Sequence, residues 1–320
     1  MAISVQSCPH LCARQGVAHR HEVGPVAVAM RMLAVLRVVI AGLIGTAWRR
    51  QVDRFTGTSM ARRYVPKVYR RVIAASGITV EVTGLRETFA NPGEPVLVVG
   101  NHVSWLDVMG LACVQPVRMV SKREIGEWPV IGTVATAAGT IFIDRFAPRR
   151  VAATHREVAS ALRAGEVIAT FPEATTTCGR GIGRMYPAMF QAAIDAGVPV
   201  QPVALTFVDS HGCITTAGAY VGEQPLMDSI RSILGQRDLR LRIEVLPRIS
   251  PKHVRPIDDR KALRTAAHSA ISEALELAVG DYDAHLRPAT CQARPLAIPV
   301  VADPLTELEA IAAKARRTAA

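Results

Sequence analysis

Short runs rich in aliphatic and β-branched residues alternate with stretches of helical spacing through the middle of the chain. This alternation restricts the fold more than any other feature. A strand that returns parallel to its neighbour needs a crossover helix, and a run that is apolar on both faces must be covered on both. The pattern predicts strands over residues 78–82, 96–99, 117–120, 139–143, 167–171, 200–207 and 241–246. Helices are expected over 105–113, 150–163 and 186–196, with Gly165 and Gly197 as stops. A closing helix over 257–279 carries Asp258 and Asp259 in its first turn, where a helix dipole favours acids. The expected fold class is α/β, a mostly parallel sheet flanked by helices, in one domain over 72–280.

The N-terminal part has a different character. Residues 1–71 hold twelve Lys or Arg against Glu22 and Asp53, a net +10 out of the +11 of the whole chain. Charge of this kind speaks of anionic partners rather than of fold. Residues 26–48 are apolar apart from Arg31, Arg37, Thr46 and two glycines, and a nucleic-acid arm is not built that way. Lipid is therefore the expected partner, and nucleic acid is not. The longest uncharged stretch, 38–48, falls well short of the roughly 20 apolar residues a spanning helix needs. Counting through the two arginines would place each at a cost of about 2.5 to 3.5 kcal/mol near mid-bilayer. The expectation is thus a membrane-associating helical arm over 26–71 that lies in or re-enters the interface, its arginines against anionic head groups. Residues 1–25, with Cys8, His10, Cys12, His19 and His21, read as a disordered tail rather than a metal site, and 281–320 as a proline-rich loose tail with a short helix. The six cysteines form no CxxC pair and no regular framework, which fits a reducing compartment. The expected location is the cytoplasmic face of the cell membrane, peripheral or monotopic. No feature of the sequence sets an oligomeric state.

Four stretches at strand ends could carry chemistry. The first, GNHVSWLD at 100–107, places His102 and Asp107 five positions apart. A carboxylate on one imidazole nitrogen fixes the tautomer and steadies the ring as the other takes a proton. On a regular helix positions five apart diverge by about 140°, so the two meet only if His102 lies in the turn before a helix that starts near Ser104. The same residues also make a capping box from Ser104 to Asp107, and both readings stand on the spacing alone. The second stretch ends at Asp144 and Arg145, where an arginine could grip a phosphate or carboxylate, or simply form a surface ion pair. The third, FPEATTTCGRG from 171, puts Pro172 and Glu173 before three threonines, a loop that could orient a substrate or cap the next helix. The fourth, GVPVQPVAL from 197, holds no reactive group, and its prolines shape an edge.

Taken together, in this order and at this spacing, the four stretches resemble the lysophosphatidic acid (1-acylglycerol-3-phosphate) acyltransferases of the glycerolipid acyltransferase superfamily, over about residues 96–205. Asn101, His102, Ser104 and Asp107 match the first motif; Phe142, Ile143, Asp144 and Arg145 the second; Phe171, Pro172, Glu173 and Thr175 the third; and Val198 to Val203, including Pro199, the fourth. The third departs from the family, with Ala174, Thr176 and Thr177 standing where it has glycine, arginine and serine.

The resemblance implies transfer of a fatty acyl group from acyl-CoA or acyl carrier protein to the free hydroxyl of a lysophospholipid, 1-acylglycerol-3-phosphate in the first instance. His102 would be the general base and Asp107 its orienting partner, with no cofactor and no metal. Arg145, Lys122, Glu173 and Thr175 would hold the acceptor or order the loop beside it, with Arg180 and Arg184 as other sources of positive charge. The altered third motif leaves room for another lyso-lipid acceptor, an amino-acid lipid or a phosphatidylinositol derivative. A membrane-associated protein without catalytic activity is the remaining alternative, which His102 and Asp107 oppose.

Overall fold

In a computed structural model the described residues are 22–144, 147–222, 224–254 and 259–285, all within one compact unit, Met1–Ala289. They run in the order α1 (Pro25–Thr56), α2 (Met60–Ala75), β1 (Thr79–Gly84), β2 (Val96–Gly100), α3 (Leu106–Val114), β3 (Arg118–Lys122), α4 (Arg123–Glu127), α5 (Pro129–Ala137) and β4 (Ile141–Ile143). There follow α6 (Pro148–Arg163), β5 (Val167–Thr170), α7 (Phe190–Ala196), β6 (Val200–Val208), α8 (Leu226–Leu234), β7 (Arg240–Val245) and α9 (Arg260–His285). Of the expected tails over 1–25 and 281–320, residues 1–21 and 286–320 lie outside the described residues, as do the cysteine and histidine cluster and Arg145; the described ends are ordered, with Glu22 bridged to Gln236 and α9 running on to His285.

Among the described residues the strands form one seven-stranded sheet in the order β1-β7-β6-β2-β5-β3-β4. Each expected strand is present to within two residues at either end. All pairings are parallel except β6 with β7, so the sheet is mixed but mostly parallel, as its apolar runs predict. Burial follows position. The central strands β2 and β6 are buried along their whole length, whereas β7 alternates, with Leu241, Ile243 and Val245 inside. In β2, Leu97 and Val99 pack on one side with Val158, Leu162, Phe190, Leu263 and Ile271. Val96 and Val98 pack on the other with Leu106, Leu111, Leu205 and Leu241. Helices thus cover both faces, and β2 lies at the centre of the fold.

Three helices escape the reading from periodicity: α4, α5 and α8. In α5 the sequence PVIGTVATA is rich in β-branched residues, which ordinarily favour strands. Pro129 in its first turn sets the helical φ and needs no hydrogen bond there. Conversely α7 begins at Phe190 rather than 186, because the backbone N–H of Tyr186 is drawn to the Pro172 carbonyl at 3.0 Å.

The basic arm is two helices. Gly57, at φ 66°, ends α1, and Asp53 then caps α2: its oxygens accept the Met60 and Ala61 N–H groups at 2.8 and 2.9 Å and the Thr58 hydroxyl at 2.6 Å. The Thr58 hydroxyl above all holds the Asp53 carboxyl below its usual range. On α1 the residues Val26, Met30, Leu33, Leu36, Ile40, Ile44, Trp48 and Phe55 are exposed at helical spacing, forming one apolar stripe. The opposite face docks on the chain: Gly42 faces Val68, Thr46 is buried, and the Arg49 guanidinium lies 3.8 Å from the Tyr64 ring centre.

The helix is long and apolar enough to cross a membrane. The two arginines that argue against crossing have opposite fates. Arg31 turns inward and donates to the carbonyls of Leu234 and Gln236 at 2.9 and 2.6 Å, while Arg37 is exposed on the stripe side.

Candidate active site

Gly100 ends β2, and the chain turns away at the carboxyl edge of the sheet, where an open α/β fold leaves room for a ligand. Asn101 begins the turn. Its amide acts as a substitute peptide unit, donating to the Leu205 carbonyl at 3.0 Å and accepting the Leu205 N–H at 2.8 Å, so the β2–β6 ladder continues one step beyond the strand. Asn101, Ser104 and Asp107 are fully buried.

His102 sits in the non-helical turn before α3, which resolves the spacing problem. Its Nδ1 lies 2.9 Å from Asp107 Oδ2, and its ring stacks flat on Phe171, 4.1 Å between centres and 2° from parallel. A carboxylate oxygen only accepts, so Nδ1 carries the proton and Nε2 is the basic nitrogen. The same Asp107 oxygen also accepts the N–H groups of Val103 at 2.7 Å and Ser104 at 2.8 Å. Asp107 is therefore both cap and imidazole partner: one oxygen gathers three donors. Its other oxygen, Oδ1, is buried and makes no hydrogen bond among the described residues.

The third stretch closes on the first. Glu173 is 4% exposed, and its two oxygens accept the backbone N–H of His102 at 2.7 Å and of Gly183 at 2.6 Å. Burial outweighs these bonds and pushes its carboxyl up to about 7, with the nearby Asp107 charge adding to the rise. The His102 carbonyl in turn accepts the Thr177 N–H at 2.8 Å. Glu173 thus orders the two loops against each other, its oxygens engaged by the chain's own backbone.

Ala174, in the position of the family's glycine, has φ 63°, a left-handed conformation that costs a non-glycine residue about 1 to 2 kcal/mol. Thr176, in the position of the family's arginine, turns inward and donates to the Tyr220 carbonyl, while the Tyr220 N–H donates to the Val103 carbonyl at 2.9 Å.

The other expected site residues are spread more widely. Thr175 is exposed. Lys122 is exposed at the carboxyl end of β3, two strands from β2, or roughly 10 Å across the sheet. Beside it a cleft of about 580 Å³ is lined by Arg123, Phe142, Asp144, Arg150 and Thr154 among others, with Asp144 paired to Arg150 at 3.0 Å and to Arg123 at 3.7 Å. Arg184 is exposed, 5.4 Å from the Tyr186 ring centre. Pro199 stands at the opposite end of β2, its carbonyl accepting the Leu97 N–H, so it shapes the sheet away from His102. Sequence reasoning missed Gly183 and Tyr220. The alternating glycines of GRGIG, residues 179–183, were the available signal for the first, since close backbone packing favours glycine. No group of three or more His, Cys, Asp or Glu suited to a metal occurs among the described residues.

Comparison with known proteins gives the family and the fold. The Acyltransferase family model matches residues 79–206. The 1-acyl-sn-glycerol-3-phosphate acyltransferase of Neisseria meningitidis is 35% identical over 219 residues, covering 68% of this chain and 82% of that protein. The lyso-ornithine lipid O-acyltransferase of Pseudomonas aeruginosa is 30% identical over 249 residues, covering 77% and 92%. The crystal structure of the 1-acyl-sn-glycerophosphate acyltransferase PlsC from Thermotoga maritima shares the fold, with a TM-score of 0.54 at 19% identity over 78% of this chain and 97% of that one.

Two expectations follow from the loop. Ala174→Gly relieves the left-handed strain and raises the unfolding free energy by roughly 0.5 to 1 kcal/mol, after allowance for the extra freedom of glycine in the unfolded chain. An unchanged or lowered denaturant midpoint would refute it. For Glu173, the folded value of about 7 lies above the ordinary carboxyl value of 4.5, so the folded chain holds the proton more tightly. Its stabilising contribution is present below the lower value and is lost as pH rises through the upper one. The melting temperature of the wild type, relative to Glu173→Gln, should fall between about pH 5 and pH 7.5, by on the order of 3 kcal/mol in stability. A difference that stays flat over that range rules out a buried titrating carboxyl.

Proposed function

The chain belongs to the acyltransferase family of the 1-acyl-sn-glycerol-3-phosphate acyltransferases, enzymes acting on lysophospholipids, and from that premise we propose that His102 is the general base of an acyl transfer from a thioester to a lipid hydroxyl. The observation that carries this reading is the contact of 2.9 Å between His102 Nδ1 and Asp107 Oδ2, which leaves Nε2 basic at the carboxyl edge of the sheet. Nε2 takes the proton of the acceptor hydroxyl as its oxygen attacks the thioester carbonyl. The new ester C–O bond forms, the C–S bond breaks, and the leaving thiolate recovers the proton from the imidazolium. The buried Asp107 carboxylate steadies that imidazolium. No acyl-enzyme, metal or prosthetic group is needed for these steps.

The donor is acyl-CoA or acyl carrier protein, and the acceptor 1-acylglycerol-3-phosphate, giving phosphatidic acid. Arg145, Lys122 and Thr175 are the residues assigned to the acceptor's anionic head. A second reading, a lyso-amino-acid lipid as acceptor, is favoured by two specific observations. Thr176 is hydrogen-bonded inward and offers no charge where the family carries arginine, and the Pseudomonas aeruginosa lyso-ornithine lipid O-acyltransferase is matched over 92% of its length.

The exposed stripe of α1 supports membrane association. We place it on the cytoplasmic face, with the arm lying in the interface: α1 is held to the rest of the chain by Arg31 at one end and Arg49 further along, which suits a helix lying on the bilayer.

His102→Ala should lower turnover by about 10²- to 10⁴-fold with the melting temperature kept, measured with purified protein in lipid against lysophosphatidic acid and lyso-ornithine lipid in parallel. Near-normal turnover of this variant with both acceptors would end the base assignment, and the preferred acceptor decides between the two readings. Asp107→Asn should reduce turnover and stability together, since one carboxylate holds both the ring and the loop. The loss of its charged hydrogen bonds should cost about 1.5 to 3 kcal/mol in a denaturant melt. A drop in stability with full turnover would leave Asp107 a cap alone.

A further inference from the structure

The proposed base depends on a backbone N–H that Glu173 holds, and Glu173 depends in turn on Gly183. A Cβ at residue 183 would lie 2.7 Å from Glu173 Oε2, so the carboxylate and this stretch of backbone are in direct contact. Yet residues 179–183 read GRGIG, and alternate glycines leave such a segment with a wide choice of conformations. Where the Gly183 N–H points has to be decided by anchors.

One of them comes from far along the chain. His268, on α9, lies 85 residues from Gly183, and its Nε2 is 3.2 Å from the Gly183 carbonyl. A carbonyl only accepts, so Nε2 is the protonated nitrogen of that ring. The helix that presents it is itself fixed: Leu263, Ala267, Ile271 and Leu275 are buried in the core that also holds Leu97 and Val99 of β2. Gly183 is therefore gripped on both sides, its N–H by Glu173 and its carbonyl by a side chain mounted on a rigid element.

We infer that His268 is a positioning residue for the transfer: it sets Gly183, through which Glu173 holds the His102 backbone, and so fixes the direction in which the His102 ring presents Nε2. The chain of contacts runs from α9 to Gly183, from Gly183 to Glu173, and from Glu173 to His102. It gives α9 a part in positioning the base that none of the four sequence stretches contains. Misplacement of a reacting group by a fraction of an ångström to 1 Å is enough to cost up to about 10²-fold in rate.

This inference rests on the reading of His102 as the base, and its test separates the two. In the full-length protein in lipid, His268→Phe keeps a ring but loses the donor, and His268→Gln keeps an N–H at similar reach. His268→Phe should lower kcat by about 10- to 100-fold with KM for the acceptor unchanged. His268→Gln should restore most of it. In the Glu173→Gln background the His268→Phe loss should largely disappear, because both act on one path.

A readout independent of turnover is amide hydrogen exchange of the peptides containing His102 and Gly183, which should quicken in His268→Phe and recover in His268→Gln. Unchanged exchange, full kcat in His268→Phe, or losses that multiply with those of Glu173→Gln would each overturn the inference. Should His268→Phe fail to fold, His268→Asn, too short to reach the carbonyl, replaces it in the same comparison with His268→Gln. A failure of the base assignment would appear separately, as turnover retained by His102→Ala while exchange still responds to His268.

Discussion

A single carboxylate oxygen organises the site. Asp107 Oδ2 accepts from the His102 ring and from two consecutive backbone N–H groups, those of Val103 and Ser104. Taking a carboxylate wholly out of water is tolerable only where donors and dipoles replace the lost solvent. Here three N–H groups and the first turn of α3 do so. The bonds that stabilise the charge are also the bonds that bend the chain, so the turn between β2 and α3 and the contact on the His102 ring share one acceptor. A cap and a catalytic pair, which the spacing presents as rival readings, are one arrangement.

A second buried carboxylate answers the first from the other side. Glu173 reaches across from the end of β5 to the backbone of His102 and to Gly183. The two acids have different surroundings: Asp107 faces an imidazole, whereas Glu173 faces only backbone amides and its burial raises its proton affinity. Their proximity also raises it, since two anions in one low-dielectric pocket disfavour each other. The strain at Ala174 belongs to the same loop. A left-handed alanine is tolerated there because Glu173, Thr176 and Thr177 on either side are all tied down.

Much of this was legible in the residues. The fully buried strands β2 and β6 were legible as consecutive apolar runs, because burial on both faces needs them, and the outer strands β1 and β7 as alternation of apolar and polar residues, because only one face is buried. The helices α4, α5 and α8 were not legible: they are short, and the β-branched content of α5 points to strand unless tertiary packing overrides it. His102 and Asp107 stood out by type and spacing. Gly183, Tyr220 and His268 did not: the first two act through their own backbone groups and His268 through the Gly183 carbonyl, and neither residue type nor local period records such contacts.

The sequence by itself determined which side chains can do chemistry, the order of the stretches that carry them, and the apolar stripe and basic charge of the N-terminal arm. Those are local properties, set by residue type and by periods of two or 3.6 residues. Only the tertiary structure decided that β7 runs antiparallel to β6, that Arg31 turns into the fold while Arg37 stays out, and that Glu173 braces the His102 loop. These depend on contacts between residues tens to hundreds of positions apart, where the competition between hydrogen bonding and desolvation is settled by which groups the packed sheet and helices bring within about 3 Å.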